Sequence, residues 1–200
     1  MYLVNPLTAL INSDKILITM KLGIATVPIS LVCTIWAIYF LDLILPLHLN
    51  AHGIIPRTTA GLVGIPLTNF LHANLRHLIS NTVPLFVLSL LLSLFYRKIF
   101  FEVLIIIISC GGMLVWLLAR SANHIGASML IYGLAAFLIS YGLLKRELIS
   151  VIISVVVALV YGVGMLNGLL PFHGFISWEG HLFGATGGVF AAYLFRKKRQ

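Results

Sequence analysis

Polar residues in this chain are short interruptions between long apolar runs, and the runs have lengths that suit a bilayer. A helix that crosses hydrocarbon needs about 20 apolar residues, or about 17 at the short end. Six stretches meet that measure: 22–46, 77–96, 102–119, 126–144, 148–170 and 177–195. The first outlasts the roughly 7–15 apolar residues of a cleaved signal peptide and carries Asp42 late in it, which predicts a retained span. The pattern predicts an all-α membrane protein with a six-helix domain over 22–195. A short segment (1–21) precedes the domain and a basic tail (196–200) follows it.

Composition agrees with the pattern: 60% of the 200 residues are hydrophobic, 9% are charged, and the mean hydropathy is +1.09. The net charge of +8 comes from residues that form no face interleaved with exposed aromatics, so nucleic acid is not expected as a partner. Instead the charge orients the helices, because cytoplasmic loops are enriched in Lys and Arg. Six spans put both termini on one side. Lys15, Lys21, Arg97, Lys98, Lys145, Arg146, Arg196, Lys197, Lys198 and Arg199 fall there, against Arg57, Arg76 and Arg120 on the other. Both termini are therefore expected in the cytoplasm. Cys33 and Cys110 lie inside apolar runs, where a thiol behaves as a small hydrophobe, so no disulfide framework, metal site or cofactor is expected.

Strongly polar residues inside spans are costly and usually face a bundle interior or a water-filled cavity. Three groups stand out, on the second, fourth and sixth spans, all of which begin at the outer side. His77 and Asn81 lie four residues apart on one helix face, just after His72; Ser128 and Tyr132 share a face by the same spacing. His181 is followed by Gly184 and Gly188, a small-residue stripe that lets a neighbouring helix approach closely. If that neighbour is the fourth span, His181 reaches Ser128. A hydroxyl beside an imidazole able to take its proton is the minimum for nucleophilic acyl transfer. His77, Asn81 and the unpaired backbone N–H of Ser128 in the first turn of its helix are candidate donors to an oxyanion. Asp42 lies toward the outer end of the first span and Glu179 two residues before His181, and neither is obviously placed to orient the histidine, so a dyad is expected rather than a triad.

These motifs resemble the rhomboid intramembrane serine proteases in their minimal six-span bacterial form, over roughly residues 22–195. HANLRHLISN carries the family's His-x4-His-x3-Asn as His72, His77 and Asn81. GASM, with Tyr132 one turn on, is similar to the Gly-x-Ser-Gly motif of Gly126 and Ser128. GHLFGATGG is similar to the final-helix motif with His181, Gly184 and Gly188, and PRTTAGLVGIPLTNFLH (Pro56 to His72) resembles the first outer loop. The resemblance implies Ser128 as nucleophile, His181 as general base and acid, and oxyanion donors from His77, Asn81 and the Ser128 amide. Tyr132 would pack beneath the histidine. It further implies hydrolysis of peptide bonds in or near the transmembrane segments of other proteins, in a bacterial inner membrane and among its lipids. Such substrates would come in sideways between the second and fifth spans, beneath a cap over about 167–178 with Gly168 and Gly174 as hinges. One position departs from the family pattern: Met129 stands where glycine is usual after the serine, and its bulk is expected to crowd the site or the scissile residue.

Two other classes compete. A rhomboid-like pseudoprotease would bind membrane proteins without cutting them, with Met129 closing the site. A transporter or channel would use the intramembrane histidines and Asn81, but the chain has no internal repeat and no row of pathway charges. Zinc-protease chemistry lacks a His-Glu-x-x-His, and GASML lacks the last glycine of a Gly-x-Ser-x-Gly elbow.

Overall fold

The computed structural model describes residues 6–45, 47–170 and 177–197, with backbone alone over 6–22. The chain is a helical bundle; among the described residues the only β pairing is an isolated antiparallel bridge between Ile54 and His124. In lipid a helix satisfies every backbone polar group within its own segment, which is why each apolar run becomes one.

The helices are α1 (Pro6–Ile44), α2 (Thr59–Leu67), α3 (Leu75–Phe95), α4 (Phe100–Ile106), α5 (Gly112–Leu118), α6 (Ser128–Lys145), α7 (Leu148–Gly168) and α8 (Trp178–Phe195). A π-helical turn over Ile107–Gly111 joins α4 to α5 into one rod. α1 begins at Pro6, well ahead of the apolar run expected from 22, and its 39 residues extend about 58 Å, longer than the ~30 Å of bilayer hydrocarbon.

Five helical stretches are long and apolar enough to cross a membrane: Gly23–Ile44, Leu75–Phe95, Arg97–Leu118, Ser128–Lys145 and Leu148–Gly168. α8, the sixth expected span, is not among them. Glu179, His181, Thr186 and four glycines dilute its 18 residues: these glycines pack one face against protein, while Val189, Phe190, Tyr193 and Leu194 on the other are exposed.

α6 is the hub. It packs against α8, α7, α3 and the π turn, while α1 rests on α3. Leu134, Phe137, Leu138 and Tyr141 of α6 are fully buried with Leu85, Leu88 and Leu92 of α3 and Ile107 of the π turn. The α6–α8 crossing is the tightest, because a Cβ at Gly184 would overlap the Met129 carbonyl and one at Gly188 the Gly133 carbonyl. The final-helix glycines therefore let the two backbones touch, the close approach expected of such a stripe.

α1 is tied to α3 by two polar bonds. Trp36 Nε1 donates to Thr82 Oγ1 (3.0 Å) and Ser93 Oγ to the Ile24 carbonyl (2.7 Å). The loop between α1 and α3 folds back over the end of the bundle from which α6 begins, through Arg57. Its guanidinium donates to the carbonyls of Leu117 (3.2 Å) and Ala119 (2.8 Å) and to Ser121 Oγ (3.0 Å). A cation on the open carbonyls at a helix C-terminus satisfies them and complements the dipole.

Candidate active site

The segment leading into α6 is held in place before its helix begins. His124 pairs with Ile54 through two backbone hydrogen bonds of 3.0 Å. Thr68 Oγ1 donates to the His124 carbonyl (2.6 Å), and the Gly126 N–H donates to the Thr68 carbonyl (2.9 Å). Asn123 Nδ2 donates to the Asn50 carbonyl (2.6 Å), and Asn50 Nδ2 to that of His72 (3.1 Å). The first loop thus clamps residues 123–126 from one side.

Gly126 then turns with φ +123°, a conformation that L side chains rarely adopt. A Cβ there would also meet the His77 ring at 2.5 Å (Cε1) and 2.6 Å (Nε2), with Asn81 Nδ2 at 3.7 Å. The smallness of this residue therefore serves the approach of His77 and Asn81 as much as access to Ser128. Ala127 is the N-cap, and Ser128 is the first residue of α6, where its N–H has no partner within the helix.

α3 carries its two polar residues in the expected order. Asn74 caps the helix, its Oδ1 accepting from the His77 N–H (2.9 Å). Asn81 is buried, and its Nδ2 has no hydrogen-bond partner. A buried unpaired donor costs about 1–3 kcal/mol, so its retention points to a use. His72 lies edge-on to His77 (centroids 5.1 Å apart) and accepts a long bond from the Ala127 N–H at Nε2 (3.5 Å). Burial, assisted by the neighbouring His77, lowers the His72 pKa to about 4, so the ring is neutral and free to accept.

On α8, His181 is held on two sides. Its ring stacks on Tyr132, with centroids 4.0 Å apart and planes 6° from parallel. Its Nδ1 lies 2.8 Å from the Gly168 carbonyl. A carbonyl only accepts, so Nδ1 carries the proton and Nε2 keeps its lone pair. Tyr132 is one turn below Ser128 on α6, and Gly184, one turn below His181, sits on Met129, so Ser128 and His181 share the N-terminal end of the α6–α8 crossing. No hydrogen bond joins the Ser128 hydroxyl to His181 in this state.

All nine sequence-predicted site residues thus fall at or along one crossing: Ser128, His181, Tyr132, Gly126, His72, His77 and Asn81 around the end where α6 and α8 begin, and Gly184 and Gly188 along it. Neither acid is hydrogen-bonded to His181. Asp42 accepts from the Leu49 N–H (2.8 Å), and Glu179 pairs with Arg120 (3.6 Å). Gly168, one of the two expected hinges, packs closely against Tyr132 and His181; Gly174 lies outside the described residues.

Met129 does not crowd the serine as expected. Its side chain is buried in a separate cluster with Ile54, Val115 and Ala119, flanked by Ile65, Trp116 and Phe183. The turn of about 100° between successive helical residues carries it away from the Ser128 face and into the space beneath the first loop.

Sequence reasoning named Gly168 as a hinge but missed its main-chain carbonyl, and it missed Thr68, His124 and Ser177, which act through contacts between distant segments. None of these carries a residue-type signature. A hydroxyl, an imidazole with one free nitrogen and unpaired N–H donors are the components needed to deprotonate an alcohol and stabilise an oxyanion.

Comparison with known proteins bears on the family. Residues 61–198 match the Rhomboid domain family. An uncharacterized protein of Mycobacterium tuberculosis is 39% identical over 178 residues, 84% of this chain and 74% of the relative. An uncharacterized protein of Mycobacterium leprae is 37% identical over 175 residues, 83% of this chain and 69% of the relative. No solved structure matches the chain significantly.

Proposed function

The chain belongs to the rhomboid family and is an integral membrane protein, and on that premise we propose that it is an intramembrane serine endopeptidase using a Ser128–His181 dyad. The observation that carries this reading is the His181 ring, stacked on Tyr132 and tied by Nδ1 to Gly168, with Nε2 free at the Ser128 end of the crossing.

His181 Nε2 takes the Ser128 hydroxyl proton as Oγ attacks the carbonyl carbon of the scissile peptide bond. The imidazolium that forms is stabilised by the Gly168 carbonyl, which fills the place a carboxylate holds in a triad. The carbonyl oxygen becomes an oxyanion that takes hydrogen bonds from Asn81 Nδ2, His77 and the Ser128 N–H. Collapse expels the amine, protonated by His181, and leaves an acyl-serine. Water, deprotonated by His181, then releases the acid. Proton transfer requires the Ser128–His181 bond to close when substrate binds, as catalytic hydrogen bonds commonly do.

Substrates are transmembrane segments that approach sideways through the bilayer between α3 and α7. In support, α7 leans on α6, has no comparable contact with α3, and exposes Leu159, Val160, Val163 and Leu166. We take α8 as the sixth crossing, with both termini in the cytoplasm of a bacterial inner membrane, from the excess of Lys and Arg at that end. Fusions of a periplasm-dependent enzyme to the C-terminus should be inactive under this topology and active if it is wrong.

The alternative is a pseudoprotease closed by Met129; the packing of the Met129 side chain against Ile54, Val115 and Ala119 supports the protease reading over it. Labelling with a fluorophosphonate, together with cleavage of a single-span substrate in liposomes, tests the proposal. Both signals should vanish in Ser128→Ala and in His181→Ala, and their survival in both variants would exclude the dyad.

A further inference from the structure

His124 stands four residues before Ser128 and is 4% exposed. Its Nε2 lies 3.1 Å from the Arg120 carbonyl and its Nδ1 2.6 Å from Ser177 Oγ. Ser177 is the N-cap of α8 and accepts the Gly180 N–H at 3.1 Å. One assignment satisfies every atom. The carbonyl only accepts, so Nε2 donates to it; Nδ1 of the neutral ring then accepts, so the Ser177 hydroxyl donates; its lone pairs remain for Gly180.

The result is a directed chain from Gly180 through Ser177 and His124 to Arg120. It joins the strand of chain that delivers Ser128 to the turn of helix that delivers His181. Beside it, the Arg120–Glu179 ion pair (3.6 Å) spans the same two segments. A cavity of about 10 Å³, space for one water, separates this chain from Ser128 and is lined also by Thr68, Met129 and Gly180. His124 is itself immobilised by its backbone pairing to Ile54 and by Thr68, so it is a rigid post to which α8 is fastened.

We propose that His124 is a positioning residue, which holds Ser177 as the cap of α8 and thereby sets where His181 stands relative to Ser128. This rests on the protease reading above. The Gly184–Met129 contact sets how closely the two helices approach, and the His124–Ser177 bond sets how far α8 is advanced and turned along that contact. The charged groups facing the ring are Arg120 from the loop and Glu179 from α8. Burial, the largest influence, holds its pKa below the ordinary histidine range, with the Arg120 carbonyl and Glu179 opposing and the Arg120 charge assisting. The ring is therefore neutral at physiological pH, the state the chain requires.

The experiment uses the full chain in detergent and compares wild type with His124→Asn, His124→Leu and Ser177→Ala. Asn places an acceptor oxygen where Nδ1 stands; Leu fills the space without one. Two signals are read: the rate of fluorophosphonate labelling at Ser128, and amide hydrogen exchange in the first turn of α8. His124→Leu and Ser177→Ala should be labelled about tenfold to a hundredfold more slowly, with faster exchange at Gly180, and His124→Asn should restore both toward wild type. Wild-type labelling and exchange in His124→Leu, or no rescue by Asn, would overturn the proposal. If wild type itself is not labelled, the protease reading falls, and the exchange comparison alone decides whether His124 and Ser177 fasten α8.

Discussion

The carbonyl oxygen of Gly168, the last residue of α7, accepts a hydrogen bond from Nδ1 of His181 at 2.8 Å. The general base proposed for this protein is thus oriented by main chain, and by the helix taken here to border the path of the substrate.

Gly168→Ala tests that relationship. The added methyl would overlap the Tyr132 hydroxyl and stand 3.1 Å from His181 Nδ1, displacing the carbonyl, the tyrosine or both. We expect kcat to fall about tenfold to a hundredfold with KM little changed, because misplacing the base costs turnover rather than binding. Tyr132→Phe in the same chain removes the overlapping oxygen and should recover part of the loss. Steady-state cleavage of a single-span substrate reads both effects.

Asn81 separates function from stability. Its Nδ2 is buried without a partner, so Asn81→Ala removes an unsatisfied donor and should leave the melting temperature unchanged or raised. Loss of one oxyanion donor should nevertheless lower kcat by about a hundredfold. A parallel fall in stability and activity would mean that Asn81 is a structural residue.

Met129→Gly examines the one departure from the family pattern. The substitution empties a site packed by Ile54, Val115 and Ala119 and puts glycine inside a helix, at a cost of about 3–5 kcal/mol. A lower thermal midpoint with no gain in cleavage is expected. Higher activity in this variant would revive the view that Met129 blocks the site.

Stability should fall in acid through His72. Its folded pKa of about 4 lies below the unfolded value of 6.5, so the unfolded chain binds the proton more readily. The contribution is fully present above pH 6.5 and is lost as the pH falls through about 4. Melting of the detergent-solubilised protein at pH 7.5, 6 and 5 should show the decline. His72→Gln, which keeps an acceptor toward Ala127 without titrating, should flatten it.

Much of the fold was legible because lipid leaves the chain few choices. Runs such as Leu148–Gly168 have length and apolarity that admit only a helix. α8 was read as a span from its length and as a close-packing helix from its glycine spacing, yet its glycines, Glu179 and His181 make it the least apolar of the six. α1 also exceeded expectation, extending to Pro6 beyond the apolar run. Within the site, local spacing was the informative signal. His77 with Asn81, and Ser128 with Tyr132, share faces whatever surrounds them, and the three polar groups fall on alternate helices that begin at one end.

By itself, then, the sequence determined that the long apolar runs are helices, which polar residues share a face, and that three such faces open at the same end of the bundle, but it left the short α2 unread. These are consequences of helical period and of the cost of polar groups in hydrocarbon, both local properties. Only the tertiary structure decided what completes the site: the Gly168 carbonyl on His181, the first loop clamping Gly126, the burial of Met129 away from Ser128, and the bond from His124 to Ser177. Each joins segments far apart in the chain, often through backbone atoms that every residue carries, and so leaves no pattern to be read before the helices pack.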